Sequence, residues 1–365
     1  KDTESPLVQS QLPGDSTKSF EDQFGEFLGA VKASKPGQVT EVTPTSITIK
    51  HIDGTKSTHE LYKSFPFNRK TFIENNPLVQ VGQIVKPGQI LASSNFTNTD
   101  GTAALGKNLK VAFIPWKGKN YEDAYLISES AAKKLTSEHM FTYESDPEAH
   151  KTLAKSEFIG LHPTVYESKL LKNMDADGVI REGTVVKAGD PLILAVKDPD
   201  IDIAKSMHRA VSTTPENQTI TWDGEESGVV TDVVKSGKTR KVIIKSYFPM
   251  KVGDKMANRF GNKGVIAEII PDHLMPHDTD GKPFEVLANP LGLISRTNPA
   301  QVIETALAKI ADKTNKPFKM KGFDPNTNYL EYAIEELRKN GLKSADDLYD
   351  PERQTKIPNV LNGKM

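Results

Sequence analysis

The sequence predicts a mainly β protein with some α-helix. Segments that alternate apolar and polar residues are typical of half-buried strands, and they occur at residues 38–42, 46–51, 57–61, 228–234 and 240–247. The dipeptide Asp53-Gly54 supplies a tight turn between two of them. Helical spacing of apolar residues is confined to a few stretches, so strands should outnumber helices.

The helical stretches lie mostly near the two ends of the chain. Residues 20–31 have the pattern of an amphipathic helix, and we expect residues 1–35 to pack on the first β domain. Residues 301–312 follow the cap-like Asn298-Pro299, and residues 329–341 place acids early, bases late and a glycine last. We predict a further short helix at 204–210 and a loop-like tail from 350 to 365.

Composition excludes several kinds of site. The chain has 365 residues, 36% hydrophobic and 26% charged, as in folded domains. It has no cysteine, which excludes disulfides, thiolate metal ligands and cysteine nucleophiles. We expect neither a membrane span nor a secretory signal. The formal net charge is −1, so a nucleic-acid role has to rest on local clustering of cations.

A near-repeat suggests two similar β modules. Residues 81–91 (VGQIVKPGQIL) and 182–192 (EGTVVKAGDPL) share glycines on either side of a β-branched pair, as in a short strand between tight turns. Two related modules separated by a boundary near residue 140 would explain the repeat. Independent use of the same turn chemistry would explain it equally well.

Cations cluster between residues 235 and 263, where Asp254 is the acid. Such a cluster creates the local positive field expected near phosphates. A solvated hairpin face is the preferred explanation for its first part. The cations are Lys235, Lys238, Arg240, Lys241, Lys245, Lys251, Lys255, Arg259 and Lys263.

Three segments could carry chemistry. In 251–264, glycines space Lys255 and Lys263 so that backbone and ammonium groups could approach a phosphate; a structural loop with surface lysines is the alternative. Glu122 and Asp123 could face one hydrated Mg²⁺ if the chain bends there, or could simply be exposed acids paired with lysines. Arg296 lies between turn residues and a helix start, a place suited to a triphosphate.

Other patterns point to no site. His273 and His277 are four residues apart, but Pro276 between them argues against one helical face and against a zinc pair. Residues 278–281 (DTDG) lack the remaining ligands of a calcium loop and predict a turn. The sequence has no phosphate-binding P-loop, nucleophile elbow or dinucleotide fingerprint.

Four composite motifs, in this order, resemble the second-largest (β-type) subunit of multisubunit RNA polymerases. They are VAFIPWKGKNYEDA (111–124), VGDKMANRFGNKG (252–264), MPHDTDGKP (275–283) and NPLGLISRTN (289–298). The resemblance, weaker elsewhere, extends over nearly the whole chain. It implies a double-psi β-barrel interrupted by a flap-like β module, with C-terminal helices.

The implied domains are 1–140, a hybrid-binding region with the first part of the barrel, and 141–248, the flap-like module. They continue with 249–315, the second part of the barrel with the lysines, and 316–365, a helical and loop extension.

The resemblance also implies roles for the candidate residues. Lys255 and Lys263 match lysines that contact the RNA 3′ end and nucleotide phosphates. Glu122 and Asp123 match acids beside a second, nucleotide-delivered Mg²⁺, reached through water, and Arg296 matches an arginine on the triphosphate. The further nucleotide or nucleic-acid contacts implied are Lys251, Arg259, Asn262 and Asn298.

The family's tightly bound Mg²⁺ is held by an aspartate triad (NADFDGD) of the largest (β′-type) subunit, and this sequence lacks that motif. The resemblance therefore implies a nucleotidyltransferase that is active only with that subunit. Its expected partners are the remaining β fragments, DNA template, RNA, nucleoside triphosphates and a sigma-like factor at the flap. A cytoplasmic location is implied, or a virion for a packaged phage enzyme.

Departures from the usual motifs favour a divergent enzyme. Phe260 replaces the usual His, and Ile294 and Thr297 replace the usual Pro and Met. A split β subunit of a large bacteriophage is the preferred explanation, and a truncated cellular subunit is the alternative. A non-catalytic β-barrel scaffold and an isolated phosphotransfer enzyme remain the competing functions.

Overall fold

The computed structural model describes residues 2–198 and 214–365. The chain divides into two compact units. Unit 1 comprises Lys1–Phe65, Ile73–Thr136 and Pro249–Met365, and unit 2 comprises Pro66–Phe72 and Ser137–Phe248. The helix expected at 204–210 lies outside the described residues. Among the described residues, no helix has both the length and the apolar character needed to cross a membrane.

Strands dominate both units, which confirms the mainly β prediction. The first ten strands in chain order are β1 (Val8–Leu12), β2 (Asp15–Ser19), β3 (Val31–Lys32), β4 (Gly37–Thr43), β5 (Ser46–His51), β6 (Lys56–Glu60), β7 (Phe65–Pro66), β8 (Phe72–Ile73), β9 (Asn75–Pro77) and β10 (Ile84–Val85). The next ten are β11 (Ile90–Ser94), β12 (Lys110–Phe113), β13 (Ala124–Ser128), β14 (Ser137–Glu144), β15 (Lys151–Thr152), β16 (Val185–Val186), β17 (Pro191–Ile193), β18 (Ala195–Lys197), β19 (Glu216–Asn217) and β20 (Ile220–Thr221). The last are β21 (Gly228–Ser236), β22 (Thr239–Phe248), β23 (Lys255–Ala257), β24 (Lys263–Ile270), β25 (Val286–Ala288), β26 (Phe318–Met320), β27 (Ala345–Asp350) and β28 (Thr355–Lys364).

The helices are short apart from two near the C-terminal end. They are α1 (Phe20–Phe27), α2 (Glu129–Lys134), α3 (Lys155–Leu161), α4 (Ser168–Leu171), α5 (Leu291–Ser295), α6 (Pro299–Thr314) and α7 (Tyr329–Lys339), with a 3₁₀ turn at Asp272–Leu274. The predicted helices at 301–312 and 329–341 correspond to α6 and α7 and are confirmed.

A seven-stranded sheet forms the centre of unit 1, in the order β23-β24-β13-β25-β12-β28-β27. It is mixed: β13 runs parallel to β24, and β12 runs parallel to β25. Alternate residues of β12 and β13 enter two separate cores, with Val111 and Ile127 on one face and Ala112 and Leu126 on the other. Apolar burial on both faces explains why these strands are almost continuously hydrophobic.

Three smaller sheets complete unit 1, in the orders β2-β1-β26, β10-β4-β5-β6 and β3-β11-β9. The predicted strands at 38–42, 46–51 and 57–61 are present as β4, β5 and β6. The turn at Gly54 has a left-handed φ of 82°, as a tight glycine turn requires. The core beneath β4 and β5 contains Val39, Ile47 and Ile49, which alternate with exposed or half-buried residues.

Helix α1 differs from the helix expected at residues 20–31. It ends at Phe27, because Gly29 has a left-handed φ of 90° and the chain then enters β3. Ser19 and Asp22 form a reciprocal capping box at its start. Its buried positions are Glu21 and Gly25, so the aromatic face is turned largely outward.

The expectation of a loop-like tail at 350–365 is wrong. β28 is a ten-residue strand that pairs with both β12 and β27 in the seven-stranded sheet. Pro358 and Asn359 lie where the register with β27 shifts between Asp346 and Leu348. Such an irregularity accommodates a proline that cannot donate to a neighbouring strand.

Unit 2 is built on a four-stranded sheet in the order β14-β22-β21-β16, with the smaller sheets β15-β18-β19 and β17-β20. Its core surrounds the fully buried Trp222, whose Nε1 donates to the Glu226 carbonyl at 2.9 Å. The predicted strands at 228–234 and 240–247 are β21 and β22, joined at Gly237. Lys235 of this hairpin pairs with Asp175 at 2.6 Å and with Asp177 at 2.5 Å.

The near-repeat adopts the same local structure in each unit. In unit 1 it forms β10 and β11, and in unit 2 it forms β16 and β17. The first glycine of each copy, Gly82 and Gly183, has positive φ and donates to a strand carbonyl, of Val39 and Val230 respectively. Both copies therefore use a left-handed glycine to dock a two-residue strand.

Candidate active site

Glu122 and Asp123 end a tight loop between β12 and β13. Buried Asn120 closes this loop: its Nδ2 donates to the Ile114 carbonyl at 2.8 Å, and its Oδ1 accepts from the Trp116 amide at 2.7 Å. Glu122 has a left-handed φ of 51°, which turns the chain just before β13 begins. Both carboxylates lie on exposed residues. The loop thus supplies the bend that the sequence required for a joint role of these acids.

Lys255 and Lys263 lie on the same exposed face of the hairpin formed by β23 and β24. Lys255 is opposite Val265, and Lys263 is opposite Ala257, so the two lysines are diagonal neighbours. Diagonal positions on one face are close enough for long side chains to act on one ligand. Within the described residues, neither lysine takes part in a salt bridge.

A parallel strand pairing brings the acidic loop to the lysine hairpin. β13 and β24 pair with Ala124 opposite Val265, and the Val265 amide donates to the Asp123 carbonyl at 3.0 Å. A Cβ at Gly264 would lie 2.0 Å from that carbonyl oxygen, so only glycine allows this approach. The starts of β13 and β24, with their acidic and basic residues, are therefore adjacent.

Arg296 completes this cluster from the end of α5. Its guanidinium lies 2.5 Å from a carboxylate oxygen of Asp123 and donates to Asn262 Oδ1 at 3.2 Å. Asn262 in turn donates to the Tyr125 hydroxyl at 2.9 Å. Glu122, Asp123, Tyr125, Asn262 and Arg296 line one small depression in unit 1. The structure thus brings together residues that are far apart in the sequence.

The other residues implied by the resemblance have their own contacts. Lys251 begins a turn in which its amide donates to an Asp254 carboxylate oxygen at 2.8 Å. Asn298 precedes α6, but its Nδ2 donates to the Phe260 carbonyl at 3.3 Å and its side chain does not cap the helix. Arg259 takes part in an ion-pair network with residues of α1 and α6.

The network around Arg259 includes residues that the sequence did not single out. The Arg259 guanidinium pairs with Glu304 at 2.9 Å and Glu21 at 3.2 Å, and donates to the Val8 carbonyl at 2.6 Å. Gln301 Oε1 accepts from Asn262 Nδ2 at 3.3 Å. The signal available in the sequence was two polar residues, three apart, within a helix that is otherwise rich in apolar residues.

Burial changes the titration of two groups near the cluster. It raises the pKa of the Tyr125 phenol, and the Asp123 carboxylate adds to this, while Arg296 and Asn262 oppose it. Burial also raises the pKa of Glu304 to about 7, although the charge of Arg259 opposes the shift. A deprotonated Glu304 is thus costly to bury, and Arg259 offsets only part of that cost.

The exposed acids available for contact with an ion at this site are Glu122 and Asp123. Among the described residues, no group of three or more His, Asp or Glu side chains could hold an ion. Glu122 and Asp123 offer two carboxylates, and one of these is already paired with Arg296. Mg²⁺ retains several waters and commonly binds through few carboxylates plus substrate phosphates, so these acids fit water-mediated contact.

The remaining patterns have structural roles. His277 pairs through its backbone with Tyr349, and its ring stacks on that of Tyr349, in the part of the chain that is described. Asp278 Oδ1 accepts from the amides of Asp280 and Lys282, at 2.9 Å each, and so closes a turn. The prediction of a turn at 278–281 is therefore confirmed.

The chain belongs to the family described as RNA polymerase Rpb2, domain 6, whose model matches residues 32–360. It is similar to proteins named DNA-directed RNA polymerase subunit beta. It is 37% identical to the protein from Caldicellulosiruptor saccharolyticus over 91% of this chain and 26% of that protein. It is 33% identical to that of Thermus aquaticus, over 96% and 32%, and 36% identical to that of Heterosigma akashiwo, over 80% and 28%.

The chain therefore spans about a third or less of the length of these relatives. The family resemblance inferred from the four motifs is confirmed, since the matched region includes all of them.

Proposed function

We propose that this chain supplies one wall of the active centre of a multisubunit, DNA-directed RNA polymerase. The observation that carries the proposal is the placement of Lys255 and Lys263 on one exposed hairpin face, beside the Asp123–Arg296 pair. Two lysines that have no carboxylate partner among the described residues, together with an exposed arginine, provide positive charge where a nucleotide's phosphates would lie. A scaffold would not require this arrangement.

The proposed reaction is nucleotidyl transfer, in which the RNA 3′-hydroxyl attacks the α-phosphorus of a nucleoside triphosphate and pyrophosphate leaves. In this proposal Lys255 and Lys263 stabilise negative charge on the RNA 3′ end and the phosphates, and Arg296 binds the triphosphate. When bound, Mg²⁺ supplies charge neutralisation and orientation of phosphate oxygens. Glu122 and Asp123 would contact its waters. Further contacts to the nucleotide or nucleic acid would come from Lys251, Arg259, Asn262 and Asn298.

Among the described residues, no group of three or more His, Asp or Glu side chains could hold a resident ion. We therefore propose that the largest (β′-type) subunit provides the metal-binding aspartates. The further partners proposed are the remaining β segments, template DNA, RNA and a sigma-like factor at unit 2. We propose that the protein acts in the cytoplasm or is packaged in a virion. On the basis of Phe260, Ile294 and Thr297, we propose that the polymerase is a divergent phage enzyme.

The finer fold assignment belongs to the same proposal. The mixed sheet containing β12, β13, β24 and β25 supports a double-psi β-barrel, and unit 2 supports a flap-like insertion. The proposed domains remain 1–140, 141–248, 249–315 and 316–365. Mapping protease-resistant fragments of the full chain tests these limits.

The function is tested by reconstitution. The purified chain is combined with its copurifying partners on a DNA template with an RNA primer, and primer extension is measured with and without each partner. We expect extension only when a partner with an aspartate triad is present. Extension by this chain alone would favour an isolated phosphotransfer enzyme, and full activity of partners without this chain would favour a scaffold.

A further inference from the structure

The turn between the two lysine-bearing strands is closed by its own hydrogen bonds. The Asn258 amide donates to the Asn262 carbonyl at 2.9 Å. Asn258 Oδ1 accepts from the amides of Phe260 at 3.0 Å and Asn262 at 3.1 Å. These bonds fix the internal shape of residues 258–262. They do not attach the turn to the rest of unit 1.

Two residues on the first turns of α6 contact the 258–262 turn. Glu304 pairs with Arg259 at 2.9 Å, and Gln301 accepts from Asn262 at 3.3 Å. Residues three apart in a helix lie on the same face, so one face of α6 contacts both sides of the turn. Asn262 also accepts from Arg296. This series of contacts therefore connects α6, through the turn, to Arg296, the residue proposed to bind the triphosphate.

Glu304 and Gln301 are both buried, and each has one side-chain polar atom that makes no hydrogen bond among the described residues. Glu304 is 6% exposed and Gln301 is 1% exposed. Among the described residues, Glu304 Oε2 and Gln301 Nε2 have no hydrogen-bond partner. Buried polar groups without partners are destabilising, and a buried ion pair is weak evidence of a stabilising role. The network therefore has a cost to folding that a purely structural role does not explain.

We propose that Glu304 and Gln301 are positioning residues for nucleotide addition, which hold the 258–262 turn so that Lys263 and Arg296 face the incoming phosphates. The inference rests on the function proposed above. In this proposal, neither residue contacts substrate. Glu304 acts through Arg259, and Gln301 acts through Asn262.

The charge of Glu304 makes this positioning dependent on pH. The charged groups that face its carboxyl are Arg259 from the turn and Glu21 from α1. Since burial raises the pKa of Glu304 to about 7, the carboxylate is deprotonated and paired with Arg259 mainly above neutral pH. Protonation at lower pH removes the charge that holds Arg259 and loosens the turn.

The test is single-nucleotide addition by the reconstituted polymerase containing Glu304→Gln, measured against nucleotide concentration from pH 6 to 8.5. The matched control is Glu335→Gln on the exposed face of α7. For the wild type we expect the KM for nucleotide to rise as pH falls through 7. For Glu304→Gln we expect a KM about tenfold higher at pH 8 and independent of pH, because a charge-assisted hydrogen bond is lost.

A second measurement separates positioning from folding. Hydrogen exchange of the full chain should show faster exchange of amides at 258–264 in Glu304→Gln, while its melting temperature at pH 8 is unchanged or raised. A purely structural role would lower the melting temperature. Wild-type KM at every pH together with wild-type exchange at 258–264 would overturn the inference.

The failure of this inference can be told from failure of the proposed function. If Lys263→Ala is impaired and Glu304→Gln behaves as wild type, only the positioning role is wrong. If Lys263→Ala adds nucleotides normally, the proposed active centre itself is wrong.

Discussion

The Arg296 guanidinium lies 2.5 Å from the Asp123 carboxylate. In the sequence, most strands of the seven-stranded sheet lie between these two residues. In the proposed function, the arginine binds a triphosphate and the carboxylate contacts the waters of an accompanying Mg²⁺. Both side chains are nearly half exposed, at 44% and 47%. Their pairing therefore keeps two opposite charges together at a site where a nucleotide would separate or bridge them.

The first prediction concerns the geometry of Arg296. Its planar guanidinium contacts Asp123 and Asn262 at once, which a lysine ammonium cannot reproduce. We expect Arg296→Lys to raise the KM for nucleotide roughly tenfold in the reconstituted complex, while the chain assembles normally. Steady-state kinetics with Arg338→Lys, at an exposed position of α7, as control would check this. An unchanged KM would show that Arg296 does not contribute to nucleotide binding.

The second prediction concerns the strand pairing that joins the acidic loop to the lysine hairpin. An alanine at residue 264 would place its Cβ 2.0 Å from the Asp123 carbonyl and 2.4 Å from the Tyr125 ring. Since backbone cannot yield without loss of the β13–β24 pairing, we expect Gly264→Ala to destabilise the chain by about 3 kcal/mol. Gly106→Ala, which meets open space, should change stability by less than about 0.5 kcal/mol. Urea denaturation measures both, and equal midpoints would contradict the packing described.

The third prediction is a pH dependence of folding stability. An unfolded glutamate has a pKa of 4.5, and burial raises that of Glu304 to about 7. Between these values the folded state holds the proton more tightly than the unfolded state, so the stability that this group contributes is present below 4.5 and is lost as pH rises through 7. We expect Glu304→Gln to remove this loss, which amounts to about 3 kcal/mol. Denaturation at pH 5 and pH 8 measures it, and a parallel pH dependence in both proteins would contradict the assignment.

The fourth prediction is a pH dependence at alkaline pH. Burial first, and then the Asp123 carboxylate, raise the pKa of the Tyr125 phenol above 10.0. The folded state therefore keeps this proton when the unfolded state loses it, and stability falls as pH rises past 10. We expect Tyr125→Phe to reduce this loss of stability at alkaline pH. The substitution also removes the hydrogen bond between Asn262 and the Tyr125 hydroxyl. Ultraviolet titration of the phenols should show one fewer late-titrating tyrosine, and an identical titration curve would contradict this.

Local patterns in the sequence were sufficient for the strands and helices whose burial is periodic. β4, β5 and α6 follow from alternation and helical spacing. β28 was missed because Pro358 and Asn359 resemble loop residues, and only the partner strand β27 reveals the irregularity that accommodates them. The helix α1 was placed correctly at its start, but its outward aromatic face depends on Gly25 approaching the Gly101 carbonyl, a non-local contact.

The candidate site was predictable as a set of residues and not as a geometry. Glycine spacing and the resemblance selected Lys255, Lys263 and Arg296. Their proximity depends on the register of β13 with β24, which no local pattern specifies. Glu304 was missed because a glutamate in a helix is ordinarily solvated, and its burial becomes visible only with Arg259 in place.

The central claim is that Lys255 and Lys263 act on phosphates in nucleotide addition. The most direct test is the single-turnover rate of nucleotide addition by reconstituted complexes containing Lys255→Ala or Lys263→Ala, with Lys86→Ala at an exposed glycine-flanked turn as control. We predict that either substitution slows addition by about a hundredfold or more while assembly and the control remain normal. Normal rates in both lysine variants would contradict the account.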